Sequence, residues 1–114
     1  MASSAEQKEL SRLKAIWRDQ IVADHELTSS CFKVGYVMAD YMTMEKTTSR
    51  YRRHGEIVIF PSQKMLQERA FLSPDTIRVS IAQLIARGHL RKLRRGNQFT
   101  GSNRYKVIIK DEQR

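Results

Sequence analysis

Residues 60–90 constrain this chain more than any other stretch. Phe60-Pro61-Ser62 leads into Met65, Leu66 and Ala70 at helical spacing. After a break at Phe71-Leu72, Ser73-Pro74-Asp75 opens a second pattern. There Ile77, Ile81 and Leu84 form the inward stripe, with Ser80 small beside them, and Gly88 closes it. Each mark has a physical reason. A serine at the N-cap offers its oxygen to an unpaired amide of the first turn. Proline at the first helical position lacks an N–H that would have no partner. An acid in the first turn suits the positive end of the helix dipole. Glycine just past the last turn takes the left-handed conformation at no steric cost. These marks predict helices over residues 62–70 and 73–87, joined by a tight turn. The rest of the chain reads as support or extension for this unit.

Residues 5–22 predict an amphipathic helix, with Leu10, Leu13, Trp17 and Ile21 at the 3.6 period and Ile16 beside them. Such a helix either covers the core of its own subunit or makes a homodimer contact. Asp24-His25-Glu26 is a polar connector. Thr28 is the expected N-cap of a helix over residues 29–44. Its apolar residues, from Cys31 and Phe32 to Tyr41 and Met42, cover more than one stripe, which predicts a central, buried helix. Gly35 within it costs on the order of 1 kcal/mol relative to alanine, so close approach of another helix is expected there. Residues 45–55 form a polar loop with Arg50, Arg52 and Arg53 around Tyr51. It is either a surface connection or a nucleic-acid contact. Ile57-Val58-Ile59-Phe60 predicts a short strand ended by Pro61. Beyond Gly88, residues 89–93 and 104–109 predict two strands around a turn-rich segment, with Tyr105, Val107 and Ile109 on one face. The expected division is a helix and connector over 1–27, one domain over 28–109 and a polar tail over 110–114.

The 114 residues suffice for one domain with a modest core. No apolar run approaches the roughly 18–20 residues of a membrane span. The N-terminus lacks a signal-peptide layout, so a cytoplasmic, nucleoid-associated protein is expected. Cys31, the single cysteine, reads as a small buried apolar residue rather than a reactive thiol. His25, His54 and His89 stand at no metal-like spacing. No constellation of acids, bases and nucleophiles suggests an enzyme, and no cofactor or small-molecule effector is expected. Charge is the informative quantity. Residues 1–57 hold nine Lys/Arg against eight Asp/Glu, whereas residues 58–114 hold twelve against four. Between Thr76 and Lys110 there are nine basic residues and no acid. A one-sided basic block is the footprint expected for a polyanionic partner.

The order helix, strand, helix, turn, helix, β-hairpin resembles the winged helix-turn-helix. The residues that carry the likeness are Phe60-Pro61-Ser62-Gln63-x-x-Leu66 and Ser73-x-x-Thr76-Ile77-Arg78-x-x-Ile81-x-x-Leu84-x-x-x-Gly88-x-Leu90. The string is similar to bacterial transcription regulators of the GntR and MarR kind and to winged-helix domains of plasmid and phage replication initiators. The resemblance implies an α+β fold: a helical core with a small antiparallel sheet and an added N-terminal helix. It implies double-stranded DNA as the partner, with the 73–87 helix in the major groove and the basic hairpin on the backbone or minor groove.

Carried onto this chain, the reading positions fall on Pro74, Asp75, Thr76, Arg78 and Val79, and Ser73 before them is a further expected DNA contact. Arg78 is the expected guanine contact, and Val79 and Thr76 carry methyl groups that could meet thymine. Ser62, Gln63 and Lys64 are the expected phosphate contacts of the preceding helix. Arg91, Lys92, Arg94, Arg95, Asn97 and Arg104 are those of the hairpin. Six phosphate contacts would give a salt slope of about −5. Phe99 near the hairpin tip either wedges against a base or folds back. The chain departs from the family pattern at Pro74, Asp75 and Val79, where basic or polar residues are usual, and at Ile85, which is apolar on an expected surface.

Overall fold

The computed structural model describes residues 4–45, 56–59, 61–94 and 104–110, with the backbone alone for 4–6, 44–45, 56 and 94. Among these residues the fold is α+β, with four helices and one four-stranded antiparallel sheet. The elements are α1 (Ser4–Val22), α2 (Ser29–Ala39), β1 (Met42–Glu45), β2 (Glu56–Ile59), α3 (Gln63–Ala70), α4 (Pro74–Ala86), β3 (Leu90–Arg94) and β4 (Arg104–Val107). No described helix is long and apolar enough to cross a membrane.

The apolar stripe of α1 is used within the chain. Leu13, Trp17 and Ile21 are buried, and Ile21 packs against α2 at Gly35. A Cβ on Gly35 would lie 2.9 Å from Ile21 Cδ1, so the glycine answers the close helix approach that its position suggested. Trp17 is fully buried, and its indole N–H donates to the His89 carbonyl at 3.0 Å. Cys31, Val34, Met38 and Ala39 make α2 the central helix, against Leu66 and Ala70 of α3 and Ile77 and Leu84 of α4. Each such aliphatic side chain contributes on the order of 2 kcal/mol by leaving water. Cys31 is buried, and its Sγ donates to Gln83 Oε1 at 2.8 Å.

Two expectations need correction here. The helix over 29–44 stops at Ala39, with Asp40 as its C-cap, and residues 42–45 form β1 instead. Helix and strand patterns both accommodate Tyr41-Met42. The pairing of Met42 with Ile59 and Thr43 with Val58 decides between them, and those partners lie 15 or more residues away. Thr28 occupies the N-cap position but its side chain makes no capping bond. Its hydroxyl turns to Gln83 Oε1 at 3.3 Å instead.

The strand order is β1-β2-β4-β3. Met42, Ile59, Tyr105, Val107 and Leu90 are buried and line the sheet face that closes the core. One extra residue on β3 at Leu93 shifts the register between Lys92 and Arg94, the effect of a β-bulge.

Candidate nucleic-acid interface

Local chemistry sets the starts of α3 and α4. Ser62 Oγ accepts from the Met65 amide at 3.1 Å, and Ser73 Oγ accepts from the Thr76 amide at 3.2 Å. Both serines therefore serve as caps, as their positions predicted. The Thr76 hydroxyl lies 2.9 Å from Ser73 Oγ, which holds it against the helix start. Gln63 Nε2 donates to the Pro74 carbonyl at 3.3 Å, so the first turns of the two helices are tied together. Lys64 is exposed beside them and makes no ion pair among the described residues.

The outward side of α4 carries Asp75, Arg78, Val79, Ala82 and Ala86, all exposed. Arg78 Nη2 donates to Asp75 Oδ1 at 2.8 Å, with both side chains largely in solvent. An exposed pair of this kind is worth at most about 1 kcal/mol. Its consequence is chemical: the one cation on this face is balanced by its one acid. Ile85 is half-buried against the core, which accounts for its apolar character inside one subunit.

The hairpin separates residues that are adjacent in sequence. Strand alternation puts Lys92 on the same face as Tyr105, and Arg91 on the opposite face with Lys106. Arg91 pairs with Lys106 across the strands, and the register sets Arg94 opposite Arg104. The hairpin thus concentrates basic residues on both of its strands. Arg95, Asn97 and Phe99, the loop over 46–55 with Arg50, Arg52 and Arg53, and the tail over 111–114 lie outside the described residues.

Between the two units is a half-open cleft of about 310 Å³. Gln63, Arg78 and Lys92 line it together with Ile81, Ile85 and Tyr105. The start of α3, the side of α4 and the inner face of β3 thus share one surface.

Several basic residues near this region are committed elsewhere. Arg87 donates to both carboxylate oxygens of Asp24, at 3.0 and 3.1 Å. Lys110 Nζ donates to the Arg87 carbonyl at 2.7 Å. Arg69 and Arg18 share Asp40, and Arg18 also stacks 3.9 Å over the Tyr36 ring. Burial acts to raise the Asp40 carboxyl, but hydrogen bonds from Arg69 and Arg18 outweigh it and hold it below the usual carboxylate range. Counting cations in the sequence therefore overstates what a polyanion would meet.

Sequence reasoning missed a buried polar cluster that joins several of the described elements. His89 is almost completely buried, with Nε2 2.7 Å from Asp24 Oδ2 and Nδ1 2.8 Å from Gln20 Nε2. The Lys110 amide donates to Gln20 Oε1 at 2.8 Å, so Gln20 must present its amine to His89. Nδ1 is then an acceptor, and the neutral ring donates from Nε2 to Asp24. Asp24 is held well below the ordinary aspartate range, first by Arg87, with burial opposing and His89 assisting. Burial lowers the His89 pKa, against the pull of Asp24. The only sequence signal was a histidine just after the helix-ending glycine, and nothing linked it to Asp24 65 residues earlier. The break at Phe71-Leu72 was legible, but the left-handed backbone at Phe71 was not. This residue closes α3 at φ 56° and is 85% exposed. A left-handed conformation costs a non-glycine residue about 1–2 kcal/mol.

No family model, curated protein or solved structure matches the chain, so the functional argument rests on its own residues.

Proposed function

We propose that this chain is a winged helix-turn-helix protein that binds double-stranded DNA with sequence preference. On this reading α3 and α4 form the helix-turn-helix, and β3, β4 and their connection form the wing. Transcriptional regulation is the role this arrangement serves most directly, and an accessory role in plasmid or phage replication or partition is the alternative. The observation that carries the reading is the hairpin, whose two strands carry Arg91, Lys92, Arg94, Arg104 and Lys106, beside a pair of tied helix starts. A hairpin this rich in arginine and lysine attracts a polyanion. Base edges would then be met by α4 from Asp75 to Val79.

Titration of labelled duplex DNA at two salt concentrations tests the proposal. Binding should weaken steeply with salt. Arg91→Ala combined with Lys92→Ala should flatten the slope of log K against log salt by about 1, since the two side chains lie on opposite faces of the hairpin. The matching single variants tell which face of the hairpin meets the backbone. Absence of binding near 50 mM salt would favour the second reading, a winged helix that contacts protein. The exposed Pro74 and Val79 motivate that alternative.

A further inference from the structure

The cleft beside α4 is lined by Arg78, Ile81, Ala82 and Ile85 of that helix. Their spacing of three and four residues puts them on one stripe, the one turned towards β3. Ile81 and Ile85 are only half-buried, and their remaining surface borders about 310 Å³ of open space. The methyl group of Ala82 is too small to fill it. Larger side chains here would bury more apolar area, so the opening does not serve the stability of the domain.

The lining is divided by chemistry. Ile81, Ile85 and the buried Tyr105 supply apolar surface, while Arg78 on α4 and Lys92 on β3 are exposed on opposite walls. Among the described residues no acid lines the cleft, and Lys92 makes no ion pair. Asp75, just outside, takes Arg78 Nη2 at 2.8 Å, and the guanidinium has further donors. An apolar hollow between two cations complements an anion that carries an apolar body. Inorganic phosphate would leave the isoleucines unused, and an uncharged apolar compound would leave the cations unused.

We propose that the cleft binds a small organic monocarboxylate, with the carboxylate between Arg78 and Lys92 and the apolar body on Ile81 and Ile85. The volume lies at the lower end of the roughly 300–1,000 Å³ of small-molecule sites, which suits one ring on a short chain. The site stands without the duplex reading. Its consequence rests on that reading: Arg78 and Lys92 are among the expected duplex contacts, so the acid and the duplex compete for them.

The probe is 3-phenylpropionate, titrated into the isotope-labelled full chain and followed by the methyl resonances of Ile81 and Ile85. The acid should shift both saturably. The uncharged 3-phenylpropionamide should bind about tenfold more weakly, since each of two exposed ion pairs is worth up to about fivefold. Acetate and inorganic phosphate should leave the methyl resonances in place. Lys92→Gln should weaken the acid about three- to fivefold and leave the amide unchanged. Ala82→Leu changes an exposed helix position, so it should melt with the wild type while filling the cleft and removing both ligands. The proposal is overturned by absence of a saturable shift, by equal affinity for acid and amide, by phosphate acting like the acid, or by full binding in Ala82→Leu. At matched ionic strength the acid should also displace labelled duplex from the wild type. Duplex binding indifferent to saturating acid overturns the competition alone. Absence of duplex binding at low salt overturns the duplex reading and the competition with it, while the acid titration still decides the site.

Discussion

Two regions of the molecule hold a carboxylate against cations, and they differ in almost every other respect. At the base of the hairpin, Asp24 is 7% exposed and receives Arg87 and the fully buried His89. On the outward face of α4, Asp75 meets Arg78 with both groups in solvent. The first cluster joins the connector after α1, the end of α4, the start of β3 and the segment after β4. Its polar atoms have protein partners, and Asp24 and His89 at its centre are buried. The second joins one turn of one helix to itself, and a partner can rearrange it at little cost. The buried cluster specifies how the hairpin sits on the helices. The exposed face is where the chain carries features that do not serve its own fold: Val79 in water, and an acid and base that cancel.

The contrast is broken most directly by removing each acid in turn. Asp24→Ala strands the buried His89 ring N–H and should cost about 2–3 kcal/mol in urea unfolding, the scale of a lost hydrogen bond to a charged group. Asp75→Ala should cost less than about 1 kcal/mol, from the exposed pair and the helix dipole together. Equal costs would erase the distinction between the two regions.

Acid sharpens the same contrast. Burial sets the His89 pKa below its ordinary value, so the unfolded chain binds that proton more readily. The corresponding stability is complete above the unfolded value of about 6.5 and is lost as pH falls through it towards the folded value. Protonation at Nδ1 would also set two donors face to face at Gln20. Asp24 is depressed as well, so its contribution persists below pH 6 and is lost only under stronger acid, beneath its unfolded value of about 4. Urea midpoints between pH 7.5 and 5 should therefore decline, and His89→Gln should remove most of that decline. An unchanged slope in the variant would mean that another group is responsible.

The smallest effect concerns the turn. Phe71→Asn places a residue that tolerates the left-handed region at an exposed position. It should raise stability by about 0.5–1 kcal/mol. A loss instead would show that the phenyl ring packs on the fold more than its 85% exposure suggests.

Local signals were legible where one residue type answers one local need. Ser62, Ser73, Pro74 and Gly88 marked the ends of α3 and α4 within a residue or two, because caps and backbone conformation depend on near neighbours. Gly35 announced a close helix approach, and Ile21 makes it. The stripe of α1 could not say whose core it covers, and Leu13, Trp17 and Ile21 cover their own. Of the residues expected to meet DNA, the cleft gathers Gln63, Arg78 and Lys92, and strand alternation sends Arg91 to the other side.

By itself the sequence determined the two capped helices, the break between them and the imbalance of charge between its halves. Each follows from composition or from contacts a few residues apart. Tertiary structure decided that residues 42–45 are a strand, that Arg87 and Lys110 support the fold, and that His89 lies between Asp24 and Gln20. These outcomes depend on partners distant in sequence. A strand needs its neighbour's backbone, and a cation is available to a ligand only where no carboxylate or carbonyl of the same chain has reached it first.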